Sequence, residues 1–426
     1  MSGFLIAAPG SGAGKTTVTL ALLRHLKNLG ISVRGAKSGP DYIDPRFHEA
    51  ACGAPCPNLD AWAMTPERLR ALAAGDGLLI VEGAMGLFDG APPDGKGAAA
   101  DVARALGIPV ILVVNASHMA QSVAALVQGF AAHDPNIRVA GVILNNIGSN
   151  RHEAMLRAAL APLNLPVLAA LHRSATLSLP SRHLGLVQAQ ERIDLDAFLN
   201  SAASALAHSL DLDGLMSLAE PPAKPTGASA RFVPPAQVIA VARDEAFAFC
   251  YPHLLDDWRA QGAELTFFSP LADDAVPQAG FIYLPGGYPE LHAARLSNSQ
   301  NFIQSMRKAS ETTVIYGECG GYMVLGEALI DASGTAHDML NLLPLVTSFE
   351  HRKLHLGYRS LHARNGPFKG RFAAHEFHYA STLKATGADP LFSARNAEGD
   401  ALPDMGLVQG HVAGSFAHLV DVTVKG

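Results

Sequence analysis

Short apolar runs alternate with amphipathic stretches along the first half of the chain. Residues 3–8 form one such run, and residues 15–29 then place Val18, Leu22, Leu26 and Leu29 at helical spacing. Residues 31–37 read as extended. Residues 77–82, 108–115, 139–145 and 166–171 are further buried-strand candidates, with helical stretches between most of them. Strands that are apolar on both sides and separated by helices predict a mostly parallel sheet covered on both faces. The second half opens in the same way. Residues 237–242 predict a strand, 247–260 a helix, and 265–268, 280–285 and 313–317 three more strands. A second α/β domain is therefore expected. Between the halves, residues 220–235 read EPPAKPTGASARFVPP, which suits neither a helix nor a central strand. The expected division is a first domain over 1–219, a Pro-rich linker over 220–236 and a second domain over 237–426.

Composition narrows the classes. The chain has 426 residues, of which 49% are hydrophobic and 16% charged. The charged share is below the usual value of about 25%, which excludes a disordered chain. A net charge of −6 gives no basic excess for a nucleic-acid surface. No apolar stretch approaches 18 residues, and the strongest, 108–114, is of strand length. The first residues, MSGFLIAA, lack the basic start of a signal peptide. A soluble, cytoplasmic protein without membrane or nucleic-acid partners is expected, and a homo-oligomer is compatible with this reading. Four cysteines, at 52, 56, 250 and 319, show no C-x-x-C spacing, so a zinc or thioredoxin-type site is not expected.

Two patterns carry chemistry. Residues 8–17 read APGSGAGKTT, between a predicted strand and a predicted helix. Gly12 and Gly14 let the loop curl with its N–H groups inward, Lys15 can neutralise phosphate oxygens, and Thr16 can place a hydroxyl on Mg²⁺, with Thr17 beside it. The strict phosphate-loop pattern has glycine where Pro9 stands. Two acidic motifs follow at predicted strand ends, KSGPDYIDP at 37–45 and VEGAMGLFDG at 81–90. Ligands collect outside the carboxyl ends of parallel strands. Asp41 and Glu82, with Thr16, are thus candidate Mg²⁺ ligands. Tyr42, Asp44 and Asp89 are candidates to face a second substrate, against the plainer reading of turn residues. Asn145, in LNNIG, either reads a nucleobase or ends a strand.

Residues 314–326 read VIYGECGGYMVLG, a strand, a G-x-Cys-x-G turn and a helix. This is a nucleophile-elbow arrangement, and a helix N-terminus is expected to lower the pKa of the Cys319 thiol. Cys52, Cys56 and Cys250 read as buried structural cysteines. In LPGGYPE, Gly286 and Gly287 follow a strand and suit an oxyanion hole, which we assign to Gly287 together with Gly320. A base is also needed. With 18 histidines in the chain, His375, His378, His411 and His418 are not separable on residue type alone.

Together, APGSGAGKTT, KSGPDYIDPRFH, EGAMGLFDG, LPSRHLGL, LPGGYPE, YGECGGYMVLGE, HEFHY and GSFAHL resemble, in that order and over essentially the whole chain, the cobyrinic and hydrogenobyrinic acid a,c-diamide synthases. The resemblance implies a dethiobiotin-synthetase-type ATP-binding domain followed by a class I, triad-type glutamine amidotransferase domain. It maps the nucleophile to Cys319 and the base to His418. The wider class I group has a glutamate two residues after the histidine. Here that position is Val420, a dyad form common in the synthase family, which leaves open what orients His418. Pro9 is likewise typical of the family. The implied reaction is ATP- and glutamine-dependent amidation of the a- and c-carboxylates of a corrinoid, cobyrinate or hydrogenobyrinate, in cobalamin biosynthesis. It proceeds through an acyl phosphate and needs a passage or shared cleft for ammonia. Nickel-sirohydrochlorin a,c-diamide synthase and cobyric acid synthase are the alternatives within this chemistry. A switch ATPase of the partitioning type is the alternative outside it. A polycarboxylate substrate asks for local cations, for which Lys37, Arg46 and HRKLH at 351–355 are candidates.

Overall fold

In the computed structural model, which describes residues 2–174, 188–192 and 194–423, the apolar runs of the first half are strands of one parallel sheet. The LPSRHLGL motif lies outside the described residues. The chain divides into two compact units, Met1–Ser229 and Ala230–Gly426.

In the first unit the strands are β1 (Gly3–Ala7), β2 (Val33–Ser38), β3 (Asn58–Leu59), β4 (Leu78–Glu82), β5 (Val110–Asn115), β6 (Val139–Ile147) and β7 (Val167–His172). Their order is β3-β2-β4-β1-β5-β6-β7, with parallel pairing throughout. Phe4, Leu5 and Ile6 are fully buried, as an inner strand packed on both faces requires. The strand order reverses around β1, which lies between β4 and β5. Such a switch point opens a crevice at the carboxyl ends, where the phosphate-loop sequence begins. The helix Lys15–Asn28 buries Val18, Leu22 and Leu26. Leu29, expected on the same face, instead stands beyond the helix end and is 51% exposed, because Gly30 turns the chain at φ 76°. The two-residue strand β3 was too short to show as a periodic pattern.

The Pro-rich stretch is shared between the units. Glu220 exchanges backbone bonds with Gly3, Ala223 N–H donates to Leu106 O at 2.7 Å, and Thr226 bonds Glu67. Phe232 N–H donates to Asp257 Oδ2 in the second unit at 3.1 Å.

The second unit begins as expected, with β8 (Val238–Ala242), β9 (Glu264–Phe268), β10 (Phe281–Leu284) and β11 (Val314–Glu318). The helix expected over 247–260 forms only from Pro252 to Ala260. Proline suits the first helical position but disfavours helix in the residue before it. Residues 247–251 remain outside the helix, and Phe249 N–H donates to Gly286 O at 2.8 Å. Past residue 327 the described elements are all strands: β12 (Ala328–Ile330), β13 (Ala336–Asp338), β14 (Leu345–Ser348), β15 (His355–Ala363), β16 (Arg371–His378), β17 (Ser381–Ala385), β18 (Asp389–Arg395), β19 (Ala401–Gln409), β20 (Val412–Ser415) and β21 (Ala417–Val422). Four of them form a separate sheet, β13-β12-β14-β17. The main sheet has the order β21-β16-β15-β18-β19-β20-β11-β10-β8-β9, parallel from β20 to β9 and antiparallel beyond.

One consequence places the second site. A single residue, Phe416, separates β20 from β21, yet four other strands lie between them in the sheet. Five strand spacings of about 4.8 Å would hold them roughly 24 Å apart in a flat sheet. Two chain steps reach only about 7.6 Å. The antiparallel part must therefore curl until β21 comes back beside β20. Among the described residues, no helix is long and apolar enough to cross a membrane.

Candidate active sites

The first site lies at the carboxyl ends of β1, β2, β4 and β6. Gly14 takes φ 88°, and a Cβ there would overlap Nδ2 of Asn145. That amide donates to Ala13 O at 2.9 Å, so Asn145 braces the phosphate loop from β6. One of the two N–H groups of its amide is thereby used by the loop. Lys15 is 7% exposed and donates to Gly10 O at 3.4 Å and to Met85 O. Burial holds its pKa below the ordinary lysine value.

Five predicted residues meet here. Thr16 Oγ1 donates to Glu82 Oε1 at 2.7 Å and to Asp44 Oδ2 at 3.4 Å. Lys37, expected as a substrate-facing cation, has a side chain only 4% exposed and is neutralised internally. It donates to Asp44 Oδ2 at 2.5 Å and Glu82 Oε1 at 2.9 Å, with Asp41 Oδ2 at 3.9 Å. Asp41 Oδ1 accepts from the N–H groups of Ile43 and Asp44, the turn that opens the helix Asp44–Cys52. Burial and the charge of Asp44 push Asp41 up to about 7. Asp89 Oδ2 accepts from Gly86 N–H at 2.9 Å and so shapes the loop after β4, while Tyr42 is 8% exposed. Arg46 pairs with Glu49 at 2.8 Å.

The sequence reading passed over His48. Its Nε2 lies 2.6 Å from Glu82 Oε2 and its Nδ1 3.4 Å from Cys56 Sγ. The signal was present: His48 follows Asp44 by four residues, which puts both on one helix face. Burial alone would raise the pKa of Glu82, but Lys37 and His48 outweigh it and hold it below the usual range. Burial would likewise lower Lys37, yet Asp44, Glu82 and Asp41 hold it above its ordinary value. A depressed carboxyl stabilises the fold fully above its unfolded pKa of about 4.3, and that stability is lost as pH falls through the folded value. The raised lysine contributes fully below its unfolded pKa of about 10.4 and loses that as pH rises further. The stability measured by urea unfolding is therefore expected to fall as pH drops from 5 to 2. The fall should be smaller in Glu82→Gln, and an equal fall in both proteins would contradict the linkage. The carboxylates of Asp41, Asp44 and Glu82 already hold the ammonium of Lys37, and with Thr16 Oγ1 they form an all-oxygen donor set. It is of the kind a hard divalent cation takes.

The second site lies in the Ala230–Gly426 unit. Cys319 follows β11 and has φ 47° and ψ −104° at the start of the helix Gly320–Leu325. A non-glycine residue held there is a strained elbow. Gly321 N–H donates to Pro285 O at 3.1 Å, which ties the elbow to the loop after β10. A Cβ on Gly286 would overlap His418 Cε1, and would lie 2.9 Å from His418 Nε2 and 3.3 Å from Cys319 Cβ. Thiol-bearing residue and imidazole therefore flank one point. Gly320 backs on Gly287, whose nitrogen lies 3.0 Å from where a Cβ of Gly320 would stand.

The expected lowering of the thiol pKa is not found. Burial, then the charge of Glu290, pushes Cys319 up, and the Gly320 N–H offsets only part of this. Cys319 is 4% exposed and its helix has six residues, so desolvation exceeds the helix field. Burial, then His375 and His378, pushes His418 down to about 3. Thiol and imidazole thus rest uncharged. Of the other histidines, His375 pairs with His418 in register across β16 and β21, His411 is exposed, and His378 stacks on Phe416 at 3.9 Å. Of the HRKLH stretch, residues 351–354 are exposed and His355 stacks on His378 at 4.6 Å. His355, Glu376 and His378 also form a cluster of metal-ligating groups. Arg359 occupies Glu376 at 2.7 Å and His378 takes its other oxygen at 2.9 Å, so the cluster is already internally paired. Cys52, Cys56 and Cys250 contact Ala54 O, His48 and Tyr251 O respectively.

Comparison with known proteins agrees with this division of chemistry. Residues 4–187 match the CobQ/CobB/MinD/ParA nucleotide binding domain, and residues 238–422 match the CobB/CobQ-like glutamine amidotransferase domain. The hydrogenobyrinate a,c-diamide synthase of Rhizobium meliloti (strain 1021) is 56% identical over 429 residues, 99% of each chain. The chain belongs to the hydrogenobyrinate a,c-diamide synthase family. A second member of that family, from Brucella anthropi, is 55% identical over 99% of each chain. A solved glutamine amidotransferase overlays 38% of this chain and 80% of its own at 17% identity and a TM-score of 0.28, too slight a likeness to add to the family match. Membership makes the chain a carbon–nitrogen ligase that uses glutamine. It joins a nucleotide-binding unit to a glutamine amidotransferase unit.

Proposed function

We infer that the chain amidates the a- and c-side-chain carboxylates of hydrogenobyrinate, using ATP and glutamine, in cobalamin biosynthesis. The convergence of Cys319 and His418 on one point at a strained elbow carries the glutaminase half. The choice of substrate is supported by relatives of that printed activity that match this chain end to end.

A carboxylate resists ammonia because its leaving group is poor. Transfer of the γ-phosphoryl of ATP to the carboxylate makes an acyl phosphate, which ammonia displaces to give the amide and inorganic phosphate. In this reading Lys15 leaves Gly10 O and Met85 O for phosphate oxygens. The N–H groups of the loop, with Gly12, Gly14 and Thr17, share that charge, and Asn145 keeps the loop curled through Ala13. Mg²⁺ would be held by Thr16 and the carboxylates of Asp41, Asp44 and Glu82, and would supply charge stabilisation to the phosphates. Tyr42 and Asp89 border the same motifs and are assigned to the corrinoid.

In the second unit the sulfur of Cys319 adds to the side-chain amide carbon of glutamine while its proton passes to His418. The Gly287 and Gly320 N–H groups receive the oxyanion. His418 returns the proton to the departing nitrogen, ammonia leaves and a thioester remains. Water, deprotonated by His418, then releases glutamate. Two rounds give the diamide.

The test is product mass spectrometry with ATP, Mg²⁺ and glutamine, supplying hydrogenobyrinate and cobyrinate in parallel. Two carboxyl-to-amide conversions on hydrogenobyrinate are expected. No conversion there, with amidation of cobyrinate, would overturn the substrate assignment.

A further inference from the structure

The position two residues after His418 is Val420, a buried residue whose carbonyl faces His253 Nε2 at 2.7 Å. A carboxyl group reaches the imidazole from a different strand. Glu318 ends β11, immediately before the nucleophile, and its Oε2 lies 3.6 Å from His418 Nδ1. The two side chains are 2% and 1% exposed, so water does not screen the pair. Glu318 is held in place. Tyr283 donates its hydroxyl to Oε2 at 2.7 Å, and Leu419 N–H donates to Oε1 at 3.1 Å. The second bond ties the carboxylate to the residue next to the histidine it faces.

The two ring nitrogens of His418 thus border different groups. The Nδ1 edge faces Glu318, and the Nε2 edge borders the point shared with Cys319. We propose that Glu318 is the positioning residue of the glutaminase, supplying from the nucleophile's own strand the carboxylate that wider class I enzymes place after the histidine. With glutamine bound the 3.6 Å separation closes and Glu318 accepts the Nδ1–H of His418, which leaves Nε2 as the base towards Cys319. It then faces the imidazolium formed when the thiol gives up its proton, without itself taking that proton. The proposal rests on the glutaminase reading above.

The surroundings give this arrangement a pH signature. Burial lifts Glu318 to about 7, against the lowering effect of the bonds from Tyr283, Leu419 and Tyr316. His375 and His378 face His418 from β16, and Glu290 and Glu376 lie near the thiol. Glutamate release should therefore rise as pH passes through about 7, where Glu318 becomes ionised.

The experiment measures glutamate release by the full chain against pH and glutamine concentration for wild type, Glu318→Gln, Glu318→Asp and Tyr283→Phe. Melting temperature is the check on folding. In Glu318→Gln, kcat is expected to fall about 100-fold with KM for glutamine changed less than about threefold, and the limb near pH 7 should vanish. Glu318→Asp should keep a limb and recover part of kcat. Tyr283→Phe removes a bond that favours the ionised carboxyl, so its limb should move to higher pH, a readout that survives if Glu318→Gln fails to fold. A Glu318→Gln enzyme with the wild-type kcat and limb would overturn the proposal, as would an unmoved limb in Tyr283→Phe. If Cys319→Ser also released glutamate normally, the glutaminase reading itself would fall. If only Cys319→Ser lost activity, that reading would stand and the role of Glu318 alone would fall.

Discussion

Cys319→Ser is expected to lower glutamine-fed amidation by at least about 1,000-fold, while amidation fed by a high concentration of ammonium salt at alkaline pH persists. The loss follows from the state of the resting site. Cys319 is buried, its thiol pKa is raised and His418 is held neutral. Nucleophile and base therefore depend on proton transfer at the moment of attack. A serine hydroxyl is a far weaker acid than a thiol, and a thousandfold loss corresponds to about 4 kcal/mol at the transition state. The substituted atom lies in the Ala230–Gly426 unit, while the phosphate loop belongs to the Met1–Ser229 unit. Ammonium supplied in solution replaces the missing product. The assay is amide formation with each nitrogen source. Equal losses with glutamine and ammonium would show that Cys319 supports the fold or the ligase step instead of glutamine cleavage.

Lys15→Met should give the complementary pattern, a fall of about 1,000-fold in amidation with either nitrogen source. Methionine keeps most of the stem that is buried at this position and removes the charge. The phosphoryl group being transferred gains negative charge on its oxygens, and one fixed cation at that point is worth roughly 10²–10³ in rate. The loop itself should hold, because its shape depends on Gly14 and on Asn145 bonding Ala13 O. Phosphate release from ATP, read beside amide formation, completes the test. A variant with normal phosphate release and normal amidation would remove Lys15 from the reaction.

The two sites were legible in the sequence to different depths. APGSGAGKTT announces its loop because curling, anion binding and helix initiation are all properties of adjacent residues. The cysteine elbow is legible for the same reason, since a strand, small neighbours and a helix start surround Cys319. Lys37 was assigned to substrate because an isolated lysine in a sequence looks like a surface charge. Its partner Glu82 is 45 positions away and meets it only through the pairing of β2 with β4. The strands of the second unit are legible through β11 and no further. Strands such as β15 and β19 are partly exposed along their length and carry polar residues, so they lack the continuous apolar signature of the parallel strands. The start of the helix at Pro252 was available from the proline itself and was overrun by the apolar pattern before it.

What the sequence by itself determined is the alternation of elements, the phosphate loop, the elbow and, through full-length resemblance, the pairing of a ligase with an amidotransferase. These are local, because backbone freedom at glycine, helical spacing and turn chemistry act between near neighbours. Only the tertiary structure decided which charges are internal, that burial outweighs the helix field at Cys319, and that Glu318 stands against a histidine 100 positions further along. The last depends on a sheet curling until β21 returns beside β20. Distances across a sheet are set by strand order and packing, and no stretch of contiguous residues encodes them.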